Sequence, residues 1–242
     1  MIRHAALLLL LAALPLLAGE LDPLLGKLKD PATREEAARA LVEKGTPTLK
    51  ELKEAARDPA LKEQVEAIAK EIEAREPRGL RFHVSLPETR LSLAHVNGED
   101  MKVAIGVENR GTETIVLWPY LSLRILDAKG QEVKRCLHIG RWGRGRSKRW
   151  LEDLKYIELA PGANWVTLTP LSRFMLDESF IEGWEVPEPG VFTIEVTYRF
   201  DRAKVKRTCD PRWDALDDPR QPWNRALEMT HVFTAEMTVA ER

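Results

Sequence analysis

The sequence predicts an α+β chain built by segments: short α-helical hairpins over residues 20–76, then an antiparallel β-sandwich over residues 80–242. Two observations carry this expectation. Residues 21–76 are rich in Ala, Leu, Lys and Glu, with apolar positions at helical spacing: Ala37, Ala40 and Leu41, then Val65, Ile68, Ala69 and Ile72. Beyond residue 79, apolar and polar residues alternate in short runs separated by turn signals, without the helical crossovers that a parallel sheet needs. At 44% hydrophobic and 31% charged, the 242-residue chain has enough apolar content for a sizeable core, which excludes a wholly disordered protein.

The first element reads as an export signal. Arg3 and His4 precede an apolar run from Ala5 to Ala18, and the small residues Ala18 and Gly19 follow, so residues 1–18 are expected to be a cleaved signal peptide. The run is shorter than the roughly 20 residues a helix needs to cross a bilayer. Leu17-Ala18-Gly19 resembles the box ahead of a lipidated cysteine in bacterial lipoproteins, but Glu20 follows it and cannot be acylated. The mature chain is therefore expected to be soluble, without a transmembrane segment, and periplasmic or extracellular. Without residues 1–18 it keeps 36 basic against 38 acidic residues, a balance that gives no global attraction to polyanions.

Four helices are expected over about 21–29, 31–44, 47–57 and 59–75. Asp30-Pro31 and Asp58-Pro59 lie 28 residues apart, each read as an N-cap followed by proline at the first helical position. Gly45 and Pro47 separate the second helix from the third. Leu21 and Leu24 recur at the same offset as Leu49 and Leu52, and this pattern over residues 20–76 resembles HEAT-like repeats. The resemblance implies two helix-turn-helix repeats. Stacked arrays need about three, so the segment is expected to pack on the second domain or on a partner.

Residues 77–79, Pro-Arg-Gly, read as the linker. Strands are expected over Leu80–Leu86, Leu91–His95, Met101–Glu108, Thr114–Trp118, Leu121–Leu126, Glu132–Ile139, Leu154–Leu159, Trp165–Thr169, Val191–Phe200 and Thr230–Val239. Asn109-Arg110-Gly111, Asp127–Gly130, Pro161-Gly162 and Pro189-Gly190 supply the turns between them. The segments VAIGVENRGTETIVL, IELAPGANWVTL and EPGVFTIEVTYRF resemble strands of a bacterial Ig-like domain. That likeness implies a fold and no particular chemistry.

Cys136 and Cys209 make an even count in a compartment where disulfides persist, and their pairing is expected, with two separate buried thiols as the alternative. Closing the 73-residue separation between them stabilises by about 4 kcal/mol or less in the chain-entropy account. From Val133 to Leu151 there are seven Lys or Arg and no acid. A second basic segment, RFDRAKVKRTC, ends at Cys209, so a disulfide would gather both at one end of the sandwich. The resulting candidate anion- or glycan-binding residues are Arg141, Trp142, Arg144, Arg146, Lys148, Arg149, Trp150, Lys206 and Arg207.

A rival reading neutralises this patch from within. Residues 210–225 hold Asp210, Asp214, Asp217 and Asp218, which could face the basic loop. Trp142, Trp150, Trp213 and Trp223 either grip sugar rings or staple long loops to the core. RNA-like binding by the Arg-Gly pattern is disfavoured by export, so nucleic acid is not an expected partner.

No G-x-S-x-G, no H-E-x-x-H and no metal-ligand spacing is present, so no catalytic residue, metal or cofactor is expected. The expected function is that of an exported, non-enzymatic binding protein. It would mediate protein association through the sandwich and the helical segment. The alternatives are an acidic-glycan binder using the basic loop, and an enzyme or enzyme inhibitor with a loop-built site.

Overall fold

The computed structural model describes residues 18–241 apart from 89, 98–100, 134, 140–149, 171–173 and 178–179. For 18–20, 135–139, 150, 153, 170, 174–177 and 180–183 only the backbone is described. The chain divides into two compact units between Arg75 and Glu76.

The first unit is helical. It comprises α1 (Ala18–Leu28), α2 (Arg34–Lys44), α3 (Leu49–Ala55) and α4 (Lys62–Arg75). α1 packs on α2, α3 on α4, and α2 on α4. One face of each helix supplies the core: Leu21 and Leu28, Ala37 and Leu41, Leu52, then Val65, Ile68 and Ile72. The two Asp-Pro pairs act one turn earlier than an N-cap would. Asp30 Oδ1 accepts from Ala32 N and Asp58 Oδ1 from Ala60 N, each at 3.0 Å, so each pair closes a turn that leads into α2 or α4.

The second unit contains β1 (Leu80–Ser85), β2 (Arg90–Ser92), the single turn α5 (Leu93–Val96), β3 (Lys102–Asn109), β4 (Ile115–Leu117) and β5 (Leu121–Leu126). β6 (Arg135–Ile139), β7 (Ile157–Leu159), β8 (Asn164–Pro170), β9 (Phe174–Asp177), β10 (Phe180–Trp184) and β11 (Gly190–Phe200) follow. The chain closes with α6 (Arg202–Lys206), α7 (Pro222–Arg225) and β12 (Met229–Ala240). The described strands form sheets ordered β1-β3-β8, β2-β12-β11-β5, β6-β10-β9 and β4-β7. Every pairing between these strands is antiparallel except β2 with β12, which is parallel; a single parallel bridge also joins Val116 of β4 to Ala226. The sequence pattern misses this pair because β2 is only three residues long. Ser92 ends it: its Oγ accepts from His95 N at 3.2 Å and starts α5 where a longer strand is expected.

The first two sheets share one core. Val103, Ile105 and Val107 of β3 join Ile194, Val196 and Tyr198 of β11, and Phe82 of β1 lies 5.3 Å from Phe233 of β12, ring centre to ring centre. Tyr198 ties the core to its surroundings: its hydroxyl accepts from Trp118 N at 3.1 Å and donates to Leu227 O at 2.9 Å. Burial pushes that phenol up to about 12. Asn109 does similar work at the Asn-Arg-Gly turn. Fully buried, it donates to Glu113 O and Leu159 O, and its Oδ1 accepts from Gly111 N. The turn after β3 is thereby fastened to the end of β7.

His231 sits at the margin of this core, its ring centre 4.9 Å from that of Phe82 and 6.1 Å from that of Phe233. Burial holds its imidazole below the usual histidine range. The unfolded chain therefore takes up this proton first as pH falls below about 6.5, and more protons on the unfolded state mean lower stability. His231's contribution is constant above that pH and is lost as pH drops toward the depressed folded value. Urea midpoints at pH 7.5 and 5.5 are expected to differ more for the parent chain than for His231→Leu.

Candidate functional site

Of the basic candidates, Arg141, Trp142, Arg144, Arg146, Lys148 and Arg149 lie outside the described residues, as does the side chain of Trp150, whose backbone opens a 3-10 turn. Cys136 is described only through its backbone, paired with Gly183, so the Cys136–Cys209 pairing also lies outside them. Cys209 is buried, with Sγ 3.8 Å from the Val205 carbonyl oxygen.

The second basic segment is described. Asp201 accepts from Lys204 N at 2.9 Å and caps α6. Lys206 Nζ reaches Asp217 Oδ1 at 2.7 Å, while Arg207 is exposed. The acidic loop engages its own neighbours. Asp210 pairs with Arg212 and Asp218 with Arg220, and each aspartate also accepts the backbone N–H of that arginine. These are the same Asp-Pro turns as in the helical unit, repeated as Asp-Pro-Arg. The hydrogen bonds from Arg220 hold the Asp218 carboxyl below the ordinary carboxylate range.

Trp213 and Trp223 are both buried, 4.9 Å apart, and Trp223 Nε1 donates to Leu216 O at 3.0 Å. Tyr156 links Trp223 to Trp118, and Trp118 stacks on Phe200 at 4.9 Å. The 210–225 loop is thus a packed cap on the core, and these two indoles have no face open to a sugar ring. Among the described residues no group of three or more His, Cys, Asp or Glu is placed to hold a metal ion, and no helix is long and apolar enough to cross a membrane.

What stands open is the outer face of the β1-β3-β8 sheet. On β8, Val166 is 51% exposed and Leu168 65%, whereas Trp165, Thr167 and Thr169 on the opposite face are partly buried. Register places Val166 beside Gly106 and Leu168 beside Ala104 of β3, and Gly106 in turn beside His83 of β1. A Cβ at Gly106 would overlap the His83 ring, so the imidazole lies directly over the glycine. The result is a shallow, largely apolar surface bounded by Arg81, Glu108 and Asn164 at one end and Lys102 and Ser85 at the other.

Gly106→Ala tests this packing. An alanine there gains about 0.5–1 kcal/mol from reduced chain entropy and displaces an exposed, movable ring. The expected outcome is a stability change within about 1 kcal/mol, together with a shift of the His83 ring resonances by NMR.

No family model matches the chain, and no curated protein matches it. Among solved structures it is similar to a β-glucosidase from Listeria innocua in complex with glucose, with a TM-score of 0.27 and 13% identity over 66% of this chain and 16% of that one. A likeness of that size carries no argument about fold or activity.

Proposed function

We propose that this chain is an exported, non-enzymatic binding protein. Its HEAT-like segment is fused to an Ig-like domain that docks protein on the outer face of β8. The observation that carries the reading is the exposure of Val166 and Leu168, neighbours on one strand face, over the small residues Ala104 and Gly106. Apolar surface of this kind, rimmed by polar groups, is characteristic of sites that bury against protein. Trp213 and Trp223, being buried, offer no platform to a sugar ring, which leaves the glycan alternative to Trp142, Trp150 and the basic loop.

Photo-crosslinking in the native cells tests it. A photoreactive residue at Leu168 is expected to give a discrete adduct, and one at Thr234, exposed on the other sheet, is expected to give none. The Leu168 adduct should be lost when Val166 is replaced by Lys. Equal adducts at both positions, or none at Leu168, would contradict the reading.

A further inference from the structure

β8 hydrogen-bonds to β3 on one side, and among the described residues no strand lies on its other side. Open edges of this kind invite pairing, and proteins usually guard them with lysines, inward charges, bulges or proline. β8 has almost none of these guards. Between Glu158 and Arg173 no residue is charged. Its ladder with β3 runs from Glu108–Asn164 to Lys102–Pro170 without a register shift, so no bulge twists the edge away. Pro170, at the end of the strand, is the one guard present.

We infer that β8 pairs antiparallel with β8 of a second copy of this chain, joining two β1-β3-β8 sheets into one six-stranded sheet about a two-fold axis at Thr167. This rests on the reading that the β8 face binds protein and names its partner. The strand is self-complementary about that axis. Val166 falls opposite the partner's Leu168, so exposed apolar residues cover each other on the outer face. Trp165 falls opposite the partner's Thr169 on the inner face, and Asn164 opposite the partner's Pro170 at each end. The neutral strand meets no like charge on self-approach, and a charged foreign strand would find no complement on it.

The contact spans seven residues, about 23 Å of strand. One strand pair with its flanking side chains covers less than the roughly 1,200 Å² typical of stable complexes, so the dimer is weak and concentration-dependent.

Sedimentation velocity on the chain purified from its native cells tests the inference. The expected result is a monomer–dimer equilibrium whose dissociation constant rises at least tenfold in Leu168→Lys and is unchanged in Thr234→Lys. Register is tested separately: Thr167→Cys is expected to give a reducible dimer absent from the parent chain, and Asn164→Cys is not. A monomer at every concentration, or a dimer indifferent to Leu168→Lys, would overturn the inference. If the chain remains monomeric while a photoprobe at Leu168 captures a different protein, self-pairing fails and the protein-binding reading survives. If Leu168 captures nothing as well, both fail.

Discussion

Trp223→Ala is expected to lower the stability of the second unit by about 3–5 kcal/mol, the cost of emptying a large aromatic site in a packed core. Trp223 is 1% exposed, sits against Trp213 and Tyr156, and satisfies the Leu216 carbonyl through its indole N–H. Neighbouring Asn224 donates to the same carbonyl and to that of Asp218, so the loop around 216–218 is fastened from both residues. Truncation opens a cavity and frees the loop together. Against a typical total of about 5–15 kcal/mol, this is a large fraction of the unit's stability. Urea denaturation followed by far-ultraviolet circular dichroism measures it. Trp223→Phe, which keeps most of the packing and loses the hydrogen bond, should cost markedly less. A loss below about 1 kcal/mol for the alanine variant would show that the loop does not cap the core.

Glu76→Ala is expected to cost about 3 kcal/mol, for a different reason. Glu76 is only 3% exposed; its Oε1 accepts from Arg110 Nη1 and forms an ion pair with Arg81 Nε, each at 3.2 Å. Arg110 also reaches Glu108 at 2.9 Å, so one carboxylate organises a chain of charges at the start of β1 and the end of β3. Taking away one buried partner leaves the other's charge uncompensated, which in buried pairs costs about 3–5 kcal/mol. Arg81 is 31% exposed, so solvent screens part of that penalty and the lower end applies. Glu108→Gln is the control. Glu108 is partly exposed, at 37%, and among the described residues pairs with Arg110 alone, so losing its charge should cost under about 1 kcal/mol. Equal losses in the two variants would place the strength of the network on the surface.

The sequence was most legible where one periodicity dominated. The four helices, β5 and the long strands β11 and β12 follow their apolar spacing to within a few residues, because each buries a single stripe or face. Phe174–Asp177 and Phe180–Trp184 were not legible as strands: Phe174, Met175 and Leu176 are consecutive, and consecutive apolar residues do not declare a period of two. The pattern places Glu76 at the end of the helical segment, yet it belongs to the second unit, where Arg81 and the sequence-distant Arg110 fix it. No local signal specifies such a contact.

The β8 face was hidden for a related reason. In Asn-Trp-Val-Thr-Leu-Thr both alternating sets contain apolar residues, and burying aliphatics would turn Val166 and Leu168 inward. Trp165 wins instead. Packed against the core, it sets the register and turns the two aliphatics outward with Thr167 and Thr169 behind them. The one available clue was negative: the charge-free stretch from 159 to 172 in a chain with 37 basic and 38 acidic residues. The basic 133–151 run stands out far more in composition. Asp210 and Asp218 pair with arginines two residues on and Asp217 with Lys206, while the side chains of residues 134–150 lie outside the described residues.

Hydroxyl-radical footprinting of Leu168, with Val232 as the internal reference, reads directly whether the β8 face is covered in the cell. Both are exposed aliphatics, Leu168 at 65% and Val232 at 48%, on the outer faces of different sheets. Leu168 is expected to be oxidised readily in the dilute purified chain and strongly protected in the native cells, while Val232 reacts alike in both. Equal oxidation of Leu168 in the two settings would contradict the protein-binding reading.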